Sequence, residues 1–147
     1  MTWQHKPWSE LHRDELYAIL ALRQRVFVVE HQRPCLDADG ADPLAWHLSL
    51  GDRALHAYLR WFAPGIRCAE ANFGRVVTAG EVRGTGLGRA LVAEGLARIH
   101  AHHGPVAIRI TAQQYLERFY AQYAFVRASD IVVIDGIDHV EMLRPAQ

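Results

Sequence analysis

Residues 83–89, Arg-Gly-Thr-Gly-Leu-Gly-Arg, constrain this 147-residue chain more than any other stretch. They stand between a strand-like run ending at Val76-Val77-Thr78 and a helical pattern that starts near Gly86. Glycines at a strand-to-helix handover let the backbone approach a ligand closely, because no Cβ intervenes. The first-turn N–H groups of such a helix lack internal partners, and its dipole favours negative charge. The junction therefore suits a phosphate or pyrophosphate. Arg83 and Arg89 add positive charge at its mouth.

Two other glycine loops are excluded by spacing. A Walker loop ends in Gly-Lys-Ser/Thr, which places an ammonium on the phosphates and a hydroxyl on magnesium. Here Gly88 is followed by Arg89-Ala90. A dinucleotide fingerprint beginning at Gly84 needs its third glycine at position 89, which is Arg89. What remains is Arg-x-x-Gly-x-Gly, read as Arg83, Gly86 and Gly88.

The bulk composition narrows the class. The length suits one domain, residues 1–147, with a proper core. Half the residues are apolar, but no run reaches the length of a membrane span. The N-terminus has neither a basic nor an apolar leader region, so the expectation is a soluble, cytoplasmic protein. Basic and acidic residues balance at 16 each, which gives no electrostatic case for nucleic acid. The two cysteines, Cys35 and Cys68, read as reduced thiols. The nine histidines form no His-x-x-x-His pair, so no metal site is expected.

Along the chain, residues 3–8 read as a short edge strand. Leu16, Ile19, Leu20, Arg23 and Phe27 recur at helical spacing within a helix over about 12–27. The polar segment from Glu30 to Pro43 reads as a loop. Its Asp37, Asp39, Gly40 and Asp42 superficially match a calcium loop, but the glycine is at the fourth position and Leu48 takes the twelfth. Strands follow at about 45–50, 54–62 and 71–78. A helix then carries Leu91, Val92, Gly95, Leu96 and Ile99 on one face and ends at Gly104-Pro105. Residues 106–112 form another strand and 114–123 a short helix. Strands at 125–134 and 138–143 flank Asp135-Gly136. The order βα(α)βββαβαββ specifies an α+β fold: a mixed, mainly antiparallel sheet of six or seven strands with helices on both faces.

With Arg83, Gly86 and Gly88 in that spacing, the chain resembles the GNAT superfamily of acyl-CoA-dependent N-acyltransferases. A second motif, Ala112-Gln113-x-x-Leu116-x-x-Phe119-Tyr120-x-x-x-Ala124-Phe125, is similar to the GNAT segment in which a strand leads into a tyrosine-bearing helix. Gln113 stands where many members have Asn, and Ala124 where they have Gly. The alanine is compatible if this position avoids positive φ. Leu22–Glu30, Asp39–Asp42, Gly74–Val77 and Asp135–Met142 resemble the ElaA-type branch, so the resemblance covers residues 3–144.

The resemblance implies acetyl-CoA as cofactor and an amine as acceptor. Val76, Val77 and Thr78 would pair with the pantetheine, and a backbone N–H near Val77 would polarise the thioester carbonyl. Arg83, Gly84, Thr85, Gly86, Leu87, Gly88 and Arg89 would hold the pyrophosphate, with Gln113 and Phe119 also at the cofactor. Tyr120 is the carried-over general acid, since a phenol keeps its proton at neutral pH. It also lies in a stripe of Leu116, Phe119, Tyr120 and Tyr123, where an aromatic ordinarily packs into a core. Glu30, Asp42, His47 and His139 come from segments on the acceptor side, and Glu30, His47 and His139 are the candidate catalytic bases. Two readings stay open: an N-acetyltransferase acting on a small molecule or peptide, and a non-catalytic acyl-CoA-binding sensor or interaction domain. Oligomeric state is open too, a homodimer included.

Overall fold

In the computed structural model, which describes residues 2–147, these periodicities become eight strands and three α-helices. In chain order they are β1 (Trp3–Pro7), α1 (Arg13–Arg23), β2 (Trp46–Gly51), β3 (Leu55–Phe62) and β4 (Ala71–Thr78). There follow α2 (Leu87–His103), β5 (Ile108–Gln113), α3 (Glu117–Ala121), β6 (Val126–Arg127), β7 (Val132–Ile134) and β8 (Ile137–Arg144). One sheet runs β1-β2-β3-β4-β5-β8-β6, with β7 also paired to β8. Every pairing is antiparallel except β4 with β5. The sheet thus has eight strands, not six or seven. The difference lies at 125–134, expected as one strand and found as β6 and β7, both against β8.

Helices cover both faces, as expected. On one, Leu91, Val92, Leu96 and Ile99 of α2 pack against Leu59, Trp61, Phe73, Ile110 and Met142. On the other, Ile19, Leu22 and Val26 pack against Tyr58 and Val77. Burial of a side chain such as Ile99 contributes roughly 1.5–3 kcal/mol. Covered on both sides, β3 is buried without a break from Ala57 to Phe62 and loses the usual alternation.

The first helix departs from expectation at its end. After Arg23 it continues as a π-helical stretch, Gln24–Glu30, in which His31 N–H donates to Val26 C=O (3.1 Å) and Arg33 N–H to Val28 C=O (2.9 Å). The wider turn is uncommon and tends to occur at functional sites.

The loop after it is polar in sequence but not idle in the structure. Arg23, fully buried, donates to Asp37 Oδ2 and to Asp42 Oδ1, both at 2.7 Å. Arg60, 2% exposed, donates to Asp42 and to both oxygens of Asp39 at 2.6–2.8 Å. Arg75 adds contacts to Asp37 and Asp39. Three aspartates thereby clamp residues 37–42 onto α1, β3 and β4. Burial alone would raise the Asp42 carboxyl, but hydrogen bonds and charge from Arg23 and Arg60 outweigh it and hold it below its ordinary value. The hydrogen bond from Arg60 does the same for Asp39.

Ala124 carries a correction. Its φ is +68°, the left-handed conformation that the sequence reading asked it to avoid. Its N–H still bonds Ala121 C=O (3.2 Å), so it closes the end of α3 as a glycine does, at a cost of roughly 1–2 kcal/mol.

Asp42→Asn leaves two buried guanidiniums short of a counter-charge and should cost roughly 3–5 kcal/mol in urea unfolding. Depressed carboxylate values mean that their stabilisation is complete above the unfolded pKa and lost as pH falls. The wild-type midpoint should hold down to about pH 4 and decline below it. In Asp42→Asn the decline should be shallower, and an equally steep acid slope would show that other carboxylates govern it.

Candidate functional site

The site begins where the sheet fails to stay closed. β4 and β5 pair only at Ala71↔Ile108 and Asn72↔Arg109, after which the strands part. From there the edges of Phe73–Thr78 and Ile110–Gln113 that face each other have no ladder between them. β4 is also bulged: Tyr58 faces Val77 and Arg60 faces Gly74, so β4 uses one more residue than β3 over this interval. Arg75 takes φ +51° there. A bulge takes backbone groups out of the ladder and re-aims them.

The gap opens into a cleft of about 590 Å³. Val76, Val77 and Thr78 form one wall, and Ile110, Ala112 and Gln113 the other. Val26 and Phe27 of the π-helical stretch, then His31, Arg33, Cys35 and Asp37, close the α1 side. Tyr115, Leu116 and Tyr120 stand behind β5, and Asp135 and His139 complete the rim.

Tyr120 is 5% exposed, with Phe119, Phe73 and Phe125 around its ring at centroid distances of 5.1–6.1 Å. Burial pushes its phenol above the ordinary value, so the proton stays on at neutral pH. Among the described residues, its hydroxyl has no hydrogen-bond partner. The stripe and the motif are thus both present in one residue, packed on its ring and free at its oxygen. Phe119 packs on Tyr120 and Tyr123 and does not border the cleft.

The histidines separate. His139 borders the cleft, and its Nδ1 lies 2.8 Å from Ile137 C=O. A carbonyl only accepts, so Nδ1 holds the proton and Nε2 of the neutral ring keeps its lone pair. His47 is 2% exposed on β2, with β3 between it and β4 in the sheet. Its Nε2–H donates to Asp42 C=O (3.0 Å), and its Nδ1 accepts from the Tyr58 hydroxyl (2.7 Å). Burial lowers its pKa and keeps it neutral. It was expected on the acceptor side and does not line the cleft.

Glu30, also expected there, turns elsewhere. It pairs with Arg83 at 2.7 Å, and Arg83 donates in turn to Thr78 C=O (3.1 Å). Arg25 and Glu81 form a second contact between the same two segments (3.4 Å).

Of the glycine loop, Arg83 borders the cleft, Gly84 to Gly86 continue as a turn, and Leu87, Gly88 and Arg89 form the first turn of α2. Gly86, at φ +85°, is the N-cap of α2 and offers no side-chain cap. Among the described residues, Ala90 is the first of the helix whose N–H finds a backbone acceptor, Gly86 C=O. A Cβ built on Gly88 meets nothing within 4 Å. Free N–H groups, a positive helix end and an open approach together fit the diphosphate of an acyl-CoA, and the parted edges of β4 and β5 fit an amide-bearing arm. His31, Arg33, Arg75 and Tyr115 also border the cleft and were not singled out from sequence. His31 and Arg33 fall in the segment read as a loop, whereas Arg75 lies on β4 and Tyr115 at the start of the segment read as a short helix.

Known proteins agree with this geometry. The family profile of the acetyltransferase (GNAT) domain matches residues 63–144. The crystal structure of an acyl-CoA N-acyltransferase from Pseudomonas aeruginosa superposes with a TM-score of 0.93 at 35% identity, covering 97% of this chain and 98% of that one. That of Escherichia coli ElaA gives 0.90 at 32% identity, over 97% and 98%. A UPF0039 protein of Synechocystis is 37% identical over 97% of this chain and 94% of its own length. The parted strands, the uncapped helix and the full-length relatives lead to one assignment: this chain belongs to the GNAT superfamily of acyltransferases, in its ElaA-type branch.

Proposed function

We propose that this protein transfers an acetyl group from acetyl-CoA directly to a primary amine of a small molecule or peptide. The observation that carries this reading is Tyr120, whose hydroxyl has no partner among the described residues and lies in an otherwise apolar wall of the β4/β5 cleft. The amine nitrogen attacks the thioester carbonyl carbon, and the C–S bond breaks. The sulfur leaves with the Tyr120 proton, and the amine's surplus proton passes to a base. The products are the amide and the free thiol of CoA.

Burial makes Tyr120 a weaker acid, but it also raises the proton affinity of a thiolate formed in the same apolar surroundings. The proton therefore moves between two groups shifted in the same direction. A backbone N–H of bulged β4 near Val77 would polarise the carbonyl. His139 is the base this reading favours, through Nε2. Glu30 is committed to Arg83, and both nitrogens of His47 are in use.

Thiol release from acetyl-CoA over a panel of amines tests the whole reading. Turnover with at least one primary amine is expected. Acetyl-CoA binding without turnover on any of them would make the protein a sensor.

Gly88→Val probes the helix end cleanly. The position is helical, valine is no worse a helix former than glycine, and the new Cβ touches no protein atom. Stability should hold while calorimetric affinity for acetyl-CoA drops by about tenfold or more. An unchanged affinity would move the diphosphate elsewhere.

Tyr120→Phe keeps the ring and removes a hydroxyl that bonds no group among the described residues. Melting temperature and acetyl-CoA affinity should stay near wild type while kcat falls by roughly 10²-fold or more. Near-normal turnover would assign the tyrosine to packing, with water protonating the thiolate.

A further inference from the structure

A second, smaller groove of about 320 Å³ lies at the root of the parting strands. It shares Phe73, Gly74, Arg75, Ile110 and Thr111 with the main cleft, so the two adjoin where β4 leaves β5. Four arginines line it, Arg60, Arg67, Arg75 and Arg109, against two carboxylates, Asp39 and Glu141.

Most of this charge is spoken for. Arg60 and Arg75 hold the aspartates of the clamped loop, and Arg109 holds Glu70 through two hydrogen bonds. Arg67 is different. Its nearest carboxylate oxygen, on Asp39, is 3.9 Å away, and among the described residues it makes no side-chain hydrogen bond. Its guanidinium lies over the Phe62 ring, 5.0 Å from the centroid, which holds the planar fork in one orientation at little entropic cost. Two further donors in the lining, the buried Nε–H groups of Arg60 and Arg75, also lack an acceptor in hydrogen-bonding geometry. For Arg75 this holds although Asp37 Oδ1 is only 2.8 Å away, because the direction is wrong.

We infer that this groove receives a carboxylate carried by the acceptor, bound by the Arg67 fork, while the acceptor's amine occupies the main cleft near His139. The inference rests on the amine-acetylation reading and deepens it: the substrate class is a primary amine that bears a remote carboxylate. Guanidinium and carboxylate match as paired donors and acceptors. Asp39 and Glu141 in the same lining favour a single negative charge over a phosphate dianion. The arginines in turn disfavour a second ammonium, which sets diamines against amino acids.

The experiment compares glycine, β-alanine, γ-aminobutyrate and ε-aminocaproate with their carboxamides, with α,ω-diamines and with phosphoethanolamine, in wild type, Arg67→Gln and Arg67→Lys. Wild type should prefer at least one acid over its carboxamide by about tenfold or more in kcat/KM. Diamines and phosphoethanolamine should be poorer than that acid. Arg67→Gln should collapse the acid-over-amide ratio towards one, and Arg67→Lys should keep part of it. Amines acetylated without any acid preference would overturn the groove inference and leave amine acetylation standing. A preference that survives Arg67→Gln would remove Arg67 from the site, and a preference for phosphoethanolamine would replace carboxylate by phosphate. No turnover on any amine would sink the acetylation reading, and this inference with it.

Discussion

Two strands that begin as parallel neighbours and then separate are the constraint on which this molecule turns. A sheet interior has no unpaired edges, because a buried backbone N–H or C=O without a partner is costly. Here the ladder between β4 and β5 lasts two residue pairs and stops. The edges beyond it must be satisfied by water or by a ligand that imitates a strand. The bulge in β4, the helix behind β5 and the uncapped start of α2 all lie around this opening. The protein is therefore built as a sheet that parts between two neighbouring strands, leaving edges that an extended amide-containing ligand would match.

An opening of this kind removes ladder hydrogen bonds that would otherwise hold β4 in place. The arginine–aspartate cluster adds polar contacts to β4 on the α1 face. Arg23, Arg60 and Arg75 come from three elements and converge on one loop, and that loop forms a wall of the cleft. Buried ion pairs are poor sources of net stability but strong determinants of geometry, since any other arrangement leaves a charge unpaired. The loop is consequently positioned by charge more than by apolar contact, which suits a surface that must also meet water and polar substrates.

The order of elements, the helical faces and the glycine loop were legible because each depends on residues close together in the chain. Gly86 and Gly88 declare themselves by spacing, and Tyr120 by the motif around it. The ion cluster joins residues 23, 37, 39, 42, 60 and 75, and no local pattern connects them. Its traces were Arg23, a charge within an apolar helical face, and the aspartates of the 37–42 segment, which match a calcium loop only superficially. His47 and His139 look alike as strand histidines. Sheet order alone separates them, for β8 adjoins β5 whereas β2 lies beyond β3. Ala124 shows a different limit, since residue type does not announce a left-handed backbone when alanine bears the strain.

The ion pair between Glu30 and Arg83 joins the two halves of the site. Both side chains are partly exposed, so the pair itself stabilises the fold little. Its consequence lies in exchange. A phosphate arriving at this corner would compete with a resident carboxylate, and its gain from Arg83 would be the difference between two similar bonds. The displaced carboxylate sits at the end of the π-helical stretch that walls the cleft. The pair thus ties the start of the glycine loop to the π-helical stretch that walls the cleft, so a change of partner at Arg83 would free a carboxylate at that wall.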